Sequence, residues 1–483
     1  MNFLLQRLNK TQRSGLVVWA LLGSMVGVLG YFSPGFILIG FLTLVVTLGL
    51  SIKVGVYQRR FLIRLFLISF LVRVGLSLIL DGSAWLINRE SPFLRASSIA
   101  EAPSSSEQSR RLIGAGDSDF YSFRGYGMTR FARGLRDNHA IASSDKGWPY
   151  GWNGYLYVIG WFYYLCGYSP VTVKFLNCLL GALMGPLVYG IARRCFNLST
   201  ARWAAVWVAF FPSLILWATT NLKDIPFITL SLALCWLVYK IQEAKRIGHR
   251  GGWLLCFIGV WLMHATLKSA AYSVLLLVSL AVATLWALHP SRIWKTILGV
   301  AALAGLWFGQ QPIRIFLTQA FLRHIGHIFT QGVSYQYLPS ETFEESGFLT
   351  QWEKSGTFEG WVFVSIGRAL VHYLGEPFLL GENHLLGLLA FPQMLVWYAS
   401  LPFVIGGIVI SLRRVARQTL FLIIMVMTWI FIGALTSGNI GTVFRTRDMV
   451  SSYLLLFACV GLRAFLYGSR AVLQPASRPI HVA

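Results

Sequence analysis

The chain has 483 residues, of which 56% are hydrophobic and 12% are charged, with a net charge of +23. A soluble domain carries about a quarter charged residues, so this composition excludes that class and indicates a membrane protein. The Lys and Arg residues lie in short loops between apolar runs. Since no basic stripe or motif accompanies them, we expect no nucleic-acid partner.

Apolar runs of about twenty residues recur along the chain, each long enough to cross about 30 Å of hydrocarbon as a helix. The runs do not alternate in hydropathy as barrel strands do. We therefore predict an all-α polytopic membrane protein with about 12 transmembrane helices. The predicted spans are 15–32, 35–52, 61–80, 170–192, 201–219, 225–241, 252–267, 270–288, 294–311, 394–411, 418–437 and 449–467.

The charges between these spans predict the orientation of the chain. Lys and Arg concentrate in the loops that are cytoplasmic if the N-terminus is cytoplasmic, and both termini then lie inside. Of the 18 acidic residues, all but Glu243 then lie on the outer face. The first apolar run resembles a signal peptide but has no convincing cleavage site, so we expect a retained anchor. The expected location is the bacterial inner (plasma) membrane.

Residues 150–167 are apolar but short, aromatic and rich in Gly. If this segment crossed the membrane, Arg193 and Arg194 would move to the outer face and every later loop would invert. Trp and Tyr prefer the headgroup level. We therefore predict a juxtamembrane or re-entrant helix on the outer surface.

Two large outer segments follow from this topology. In the first, residues 117–136 alternate aromatic and Arg side chains, which predicts an amphipathic helix on the membrane surface. The predicted regions are N-terminal transmembrane helices at 1–80, the first outer loop with amphipathic and juxtamembrane helices at 81–169, a transmembrane core at 170–311, a large outer loop at 312–393, C-terminal transmembrane helices at 394–470 and a cytoplasmic tail at 471–483.

Three outer carboxylates are candidates for chemistry. Asp117 and Asp119 follow Gly116, and we predict that they end a turn just before the surface helix. Asp224 lies at the outer start of a span. A carboxylate in such a place can accept a proton or bind a metal. The structural alternative is helix capping, because Asp is favoured where a helix begins.

Outward-facing cations are candidates for binding phosphate. Arg445 and Arg447 break the positive-inside trend, and Arg suits bidentate phosphate contacts. Lys223 and Lys268 lie at outer helix ends. The alternatives are headgroup anchoring for the Arg residues and snorkelling for Lys223.

Carboxylates that can act as a base or bind a metal, and cations that can bind phosphate, are predicted on the same face. This combination indicates a membrane-embedded enzyme that uses a lipid phosphate. Two other classes stay open. One is a polymerase or ligase of lipid-linked glycans, with a pyrophosphate donor. The other is a non-catalytic lipid-glycan flippase or transporter, which would need ionisable residues at mid-membrane depth. The cores of the predicted spans contain few, which counts against this class.

Several stretches, in order, carry a resemblance to a known family: the acidic motif at Gly116–Tyr121, "VKFLNCLLGALMGPLVYGIARRCFN", "FFPSLILWATTNLKD" and "GNIGTVFRTRD". The chain resembles integral-membrane glycosyltransferases of the GT-C type, including the dolichyl-phosphate-mannose protein mannosyltransferase and aminoarabinose transferase relatives. The resemblance implies a GT-C-like fold, a polyprenyl-phosphate-linked sugar donor and an inverting transfer. The acceptor would be a glycan, a lipid or a protein.

The resemblance also assigns roles to residues. The family's first-loop catalytic Asp falls on Asp117 if Tyr121 is matched to the family's Tyr, and on Asp119 if the spacing is counted back from Gly134. Its later outer Asp falls on Asp224. These three acids are the candidate ligands of a divalent cation, which is the one candidate cofactor. The candidate substrate-binding residues are Tyr121, Lys223, Lys268, Arg445 and Arg447.

Overall fold

The computed structural model describes residues 34–51, 55–88, 115–134, 154–244, 246–268, 367, 370–376, 384–436 and 440–472. Every regular element in these ranges is helical. In chain order they are α1 (Pro34–Ser51), α2 (Val56–Asn88), α3 (Ala115–Ala132), α4 (Gly154–Cys166), α5 (Pro170–Cys195), α6 (Leu198–Ala209), α7 (Pro212–Ala218), α8 (Asp224–Glu243), α9 (Ile247–Ala265), α10 (His384–Arg414), α11 (Ala416–Thr436), α12 (Ile440–Tyr467) and a final 3-10 turn (Ser469–Val472).

Five of the described helices are long and apolar enough to cross a membrane, and a sixth span is counted if α6 and α7 form one bent pair. The prediction of a helical, polytopic membrane protein is therefore confirmed. The predicted number of 12 spans is not reached within the described ranges. The predicted spans 15–32, 270–288 and 294–311 lie outside the described residues. The five spans are Val56–Gly82, Pro170–Cys195, Asp224–Glu243, Phe391–Arg414 and Val443–Tyr467.

The predicted span 201–219 is not one continuous helix, because the structure breaks it into α6 and α7 with a bend of 50°. Pro212 begins α7, and its ring nitrogen has no hydrogen to donate to the preceding turn. The backbone N–H of Phe210 still donates to Val206 O at 3.1 Å and closes the last turn of α6. After α7 the chain leaves helical geometry until α8 begins.

Helix α2 continues to Asn88, eight residues beyond the end of the predicted span. It also carries a buried cation, Arg73, well inside that span, where we expected almost no charge. Arg73 Nη1 donates to the carbonyl oxygen of Ser69 at 3.2 Å and also contacts Ser69 Oγ. The guanidinium is thus accommodated by its own helix, one turn earlier.

One face of α2 is polar, because Ser69, Arg73, Ser77 and Asp81 recur every four residues. Asp81 forms an ion pair with Lys174 at the start of α5. Both side chains are largely buried, so the pair ties the C-terminal part of α2 to α5.

Helix α4 has 13 residues, which is about 20 Å at 1.5 Å per residue and well short of the hydrocarbon thickness. Its length agrees with the predicted juxtamembrane helix. One face is buried and includes Tyr155 and Ile159. The opposite face exposes Tyr157, Trp161 and Leu165.

Helix α3 packs closely on α4. A Cβ at Gly125 would clash with the side chain of Ile159, so only Gly allows this approach. Thr129 Oγ1 donates to the carbonyl oxygen of Gly160 at 2.9 Å. The contact places the helix that contains Asp117 and Asp119 directly against α4.

The chain divides into two compact units. Unit one comprises residues 1–183, 215–226 and 482–483, and unit two comprises residues 184–214 and 227–481. Within unit two, α10 and α12 cross closely at Gly407 and Gly461. A Cβ on Gly407 would overlap the carbonyl oxygen of Phe457. Here the absence of side chains is what permits backbone contact between membrane helices.

Glu243, the one acid predicted on the inner side, lies beside two cations in unit two. It forms an ion pair with Arg194 at the end of α5, and its carboxylate is 3.9 Å from Lys240 Nζ. Its charge is therefore balanced by the basic residues among which the sequence places it.

Candidate functional site

The centre of unit one is a non-helical segment, residues 219–223, which joins α7 to α8 and which we call the strap. The strap ends in Lys223 and leads directly to Asp224, the first residue of α8. Asp224 is 2% exposed, whereas Lys223 is half-buried. Buried backbone that is not helical needs hydrogen-bond partners for its polar groups. For the strap, two asparagines make these hydrogen bonds.

Asn177, in the middle of α5, holds one side of the strap. Its Nδ2 donates to the carbonyl oxygens of Thr220 at 2.7 Å and Leu222 at 3.1 Å. The same nitrogen lies 2.9 Å from the phenol oxygen of Tyr155 on α4. One buried amide therefore joins α5, α4 and the strap.

Asn221 holds the other side of the strap. Its backbone N–H donates to Ser118 Oγ at 3.0 Å, and its Nδ2 donates to Ser122 Oγ at 2.8 Å. Nδ2 is also 3.3 Å from the carbonyl oxygen of Pro170. The strap is thereby fastened to α3, one turn from the predicted acidic residues.

Aromatic rings lie beside these contacts. The rings of Tyr121 and Tyr155 meet edge to face with centroids 5.6 Å apart. Lys223 Nζ lies over the Tyr121 ring, 5.8 Å from its centroid, as in a cation–π contact. The structure thus brings together two of the predicted substrate-binding residues, Tyr121 and Lys223.

The surroundings of Tyr155 raise the pKa of its phenol. Burial raises the pKa of its phenol, the hydrogen bond from Asn177 opposes that rise, and the charges of Tyr121 and Asp224 raise the pKa further. Tyr155 is therefore a neutral phenol at physiological pH.

Asp117 and Asp119 are the third and fifth residues of α3, which begins at Ala115. The prediction that they end a turn before the helix is therefore wrong, and neither occupies the residue preceding the helix where an N-cap would lie. A helix start still favours negative charge through the macrodipole. The described part of the structure does not include their side chains, so their roles stay predictions.

The predicted cations of unit two have different surroundings. Arg447 is 1% exposed, and its Nη1 donates to the carbonyl oxygens of Glu376 at 2.6 Å and Leu374 at 3.3 Å. Its guanidinium also lies 4.8 Å from the ring centroid of Trp397. Through these contacts, Arg447 holds the end of the short helical segment 370–375.

Arg445 and Lys268 are less enclosed than Arg447, since both are half-buried. Lys268 Nζ is 3.5 Å from Met449 Sδ on α12 and 5.5 Å from the ring centroid of Phe227. Lys268 therefore lies against the N-terminal part of α12, where Met449 follows Arg445 by about one turn. These two cations remain the candidates for binding an anion.

The described residues hold no group of three or more His, Cys, Asp or Glu side chains that could bind a metal ion. Asp224 is the one predicted metal ligand whose side chain lies in the described part. A divalent cation at Asp117, Asp119 and Asp224 stays a prediction.

One family of known proteins matches the middle of the chain, in parts of both units. Residues 154–318 match the family model described as dolichyl-phosphate-mannose-protein mannosyltransferase. The match begins at the first residue of α4 and covers about a third of the chain, including Asn177, the strap, Asp224 and Lys268. No match was found among curated proteins or among solved structures.

The family match confirms the resemblance to membrane glycosyltransferases of the GT-C type over the matched residues. Asp117, Asp119, Arg445 and Arg447 lie outside it. The sequence reasoning also missed four residues that build the strap: Ser118, Ser122, Asn177 and Asn221. For Asn177 a signal was present, because it is a lone amide inside an apolar run, where an unpaired polar group is costly.

Proposed function

We propose that this membrane glycosyltransferase relative moves a sugar from a polyprenyl-phosphate donor to an acceptor on the outer face of the inner (plasma) membrane. The observation that carries the proposal is the fastening of the strap to α3 through Asn221 and Ser118. This contact supports a shared site for the first-loop acids, Lys223 and Asp224. Three of the proposed groups thereby come from segments about a hundred residues apart in sequence.

Helical register favours Asp117 over Asp119 as the base. Asp117 precedes Tyr121 by four residues, so the two share a face of α3, the face that Lys223 covers. Asp119 is two residues from Tyr121 and lies about 160° around the helix from it, at 3.6 residues per turn. We therefore assign the base to Asp117 and a supporting role to Asp119.

The proposed reaction is a single displacement. The carboxylate of Asp117 takes the proton of the acceptor hydroxyl as that oxygen attacks the anomeric carbon. The bond from that carbon to the phosphate oxygen breaks on the opposite face, which inverts the configuration. The products are the glycosylated acceptor, a protonated Asp117 and polyprenyl phosphate, which carries the electron pair of the broken bond.

The leaving phosphate gains negative charge, so cations placed around it lower the barrier. We propose Lys223 for this role, since it is partly accessible and lies over the Tyr121 ring. Lys268 and Arg445 belong to unit two and stay candidates for binding an anion there. Arg447, also predicted to bind substrate, is instead proposed to support the fold, because its donors already reach two carbonyl groups. Asp224 is proposed to orient Lys223 or the substrate. This mechanism uses side-chain cations alone.

The test compares purified Asp117→Asn and Asp119→Asn variants with the wild type, using a polyprenyl-phosphate sugar as donor. Asn is nearly isosteric but is not a base, so Asp117→Asn should lower kcat by about 10²–10⁴-fold. Asp119→Asn should lower kcat much less. Wild-type turnover in both variants would exclude an aspartate base in this loop.

The choice of sugar is settled by mass spectrometry of the lipid-linked sugars that accumulate in a strain lacking the gene. The same strain separates the classes. A glycan polymerase or ligase would lead to accumulation of pyrophosphate-linked oligosaccharides instead of phosphate-linked monosaccharides.

A further inference from the structure

We propose that Asn177 is a positioning residue, which holds the strap so that Lys223 and Asp224 are presented to the Tyr121 face of α3. This inference rests on the proposed function. It adds a residue that does not itself touch the substrate but decides where the charged ends of the strap lie.

The orientation of the Asn177 amide follows from its partners. Carbonyl oxygens only accept hydrogen bonds, so the two strap carbonyls of Thr220 and Leu222 require Nδ2 and exclude Oδ1. Asn177 is fully buried, and its oxygen Oδ1 has no hydrogen-bond partner among the described residues. We infer that the side chain acts through its nitrogen.

The partners of Asn177 lie in the segment that needs them. The strap has left helical geometry, so its carbonyl groups lack partners within a helix, and an unsatisfied buried carbonyl is costly. Helix α5 supplies the missing donor from a membrane-spanning segment, which is a rigid support. The thiol of the neighbouring Cys178 also donates to a backbone carbonyl, that of Ala218 at the end of α7, at 3.3 Å.

The strap is clamped from two sides, and the sides are not equivalent. Asn221 belongs to the strap and moves with it, whereas Asn177 belongs to α5 and is fixed independently. Loss of the Asn177 amide would leave the strap attached through Asn221 to α3 and to the first residue of α5, but its carbonyl groups would lose their donor and could shift. Lys223 and Asp224 would then lose their fixed positions while the helices remain.

A labelling experiment tests this without any glycosyl transfer. Lys223→Cys is introduced with Cys256→Ser, because the other five cysteines are buried. The rate of modification by a small maleimide is then measured with Asn177 intact and with Asn177→Leu or Asn177→Asp. The control is Leu179→Ala, which removes an equally buried side chain two residues away that packs on Phe66 and away from the strap.

We expect both Asn177 variants to raise the labelling rate of Cys at position 223 at least about fivefold, and Leu179→Ala to leave it unchanged. An unchanged rate in the Asn177 variants overturns the proposal. An equal rise in Leu179→Ala also overturns it, because the effect would then be a general loosening of unit one. Asn177→Asp keeps the shape of the side chain, so it serves if Asn177→Leu does not fold.

Kinetics with residue 223 left as Lys complete the test. Asn177→Asp should lower kcat about tenfold or more with the KM of the acceptor little changed, while Leu179→Ala lowers thermal stability without that fall in kcat. Fast labelling together with wild-type kcat would show that Asn177 orders the strap but that the strap does not serve the reaction. That result would leave the structural part standing and count against the proposed function.

Discussion

Ser118 Oγ on α3 accepts a hydrogen bond from the backbone N–H of Asn221, 103 residues later in the chain, at 3.0 Å. This one bond connects the helix of the first outer loop to the strap before α8. Both groups are buried, so the N–H has no access to water if the serine oxygen is removed.

Ser118→Ala should therefore destabilise the protein by about 1–3 kcal/mol, the usual effect of leaving a buried donor unsatisfied. The measurement is thermal unfolding in detergent. The matched control is Ser452→Ala, because Ser452 is equally buried and its hydroxyl has no hydrogen-bond partner among the described residues. Equal losses of stability in both variants would argue against a structural role of the Ser118–Asn221 bond.

Lys223→Met should lower kcat/KM for the donor at least tenfold while changing the unfolding temperature little. The contact with Tyr121 is half-exposed, and such a cation–π pair contributes only about 0.5–1 kcal/mol. Lys223→Arg keeps the charge and should retain most of the activity. If Met and Arg at this position give the same kinetics, the charge of Lys223 has no part in the reaction.

Arg445 and Arg447 should respond differently to replacement by Lys. Arg447→Lys removes the guanidinium nitrogen Nη1, which donates to the carbonyl oxygens of Leu374 and Glu376. The variant should therefore lower stability by about 1–3 kcal/mol. Arg445→Lys should leave stability nearly unchanged and raise the KM for the donor. Unfolding curves and donor saturation curves on both variants decide between these assignments. A donor KM unchanged in Arg445→Lys, with stability also unchanged, would exclude Arg445 as a donor-binding residue.

The crossing of α10 and α12 gives a prediction with a neighbouring control. Gly407→Ala places a methyl group against the carbonyl oxygen of Phe457 and should destabilise unit two by about 1–3 kcal/mol, as overpacking does. Gly406→Ala has open space around the same atom, and in mid-helix it should be neutral or slightly stabilising. Thermal stability in detergent is the readout. Equal behaviour of the two variants would mean that the helices do not cross at Gly407.

Much of the architecture could be predicted from hydropathy. Helices α5 and α8 lie close to their predicted spans, because a continuous apolar run of that length has few alternatives in a membrane, whereas α12 begins nine residues before its predicted span. The break between α6 and α7 was missed, although Pro212 was visible, since many membrane helices tolerate a proline. The extension of α2 was missed because hydropathy reports the membrane boundary and not the end of a helix.

In the candidate site, the sequence identified charged residues but not the groups that surround them. Lys223 and Asp224 could be selected from sequence, because charges at the outer end of an apolar run are conspicuous. Arg447 was selected by the same reasoning, but the structure encloses it and directs its donors to backbone carbonyls. A sequence records that a charge is present at a helix end and does not record which groups surround it.

The sequence by itself determined that the chain is a helical membrane protein and that its middle segment resembles membrane glycosyltransferases. These properties follow from composition, length and order, which act locally along the chain. Only the tertiary structure decided that Asn177 and Asn221 fasten the strap to α5, α4 and α3. Hydrogen bonds between residues 22 to 103 positions apart depend on how the helices pack, and no local pattern specifies that packing.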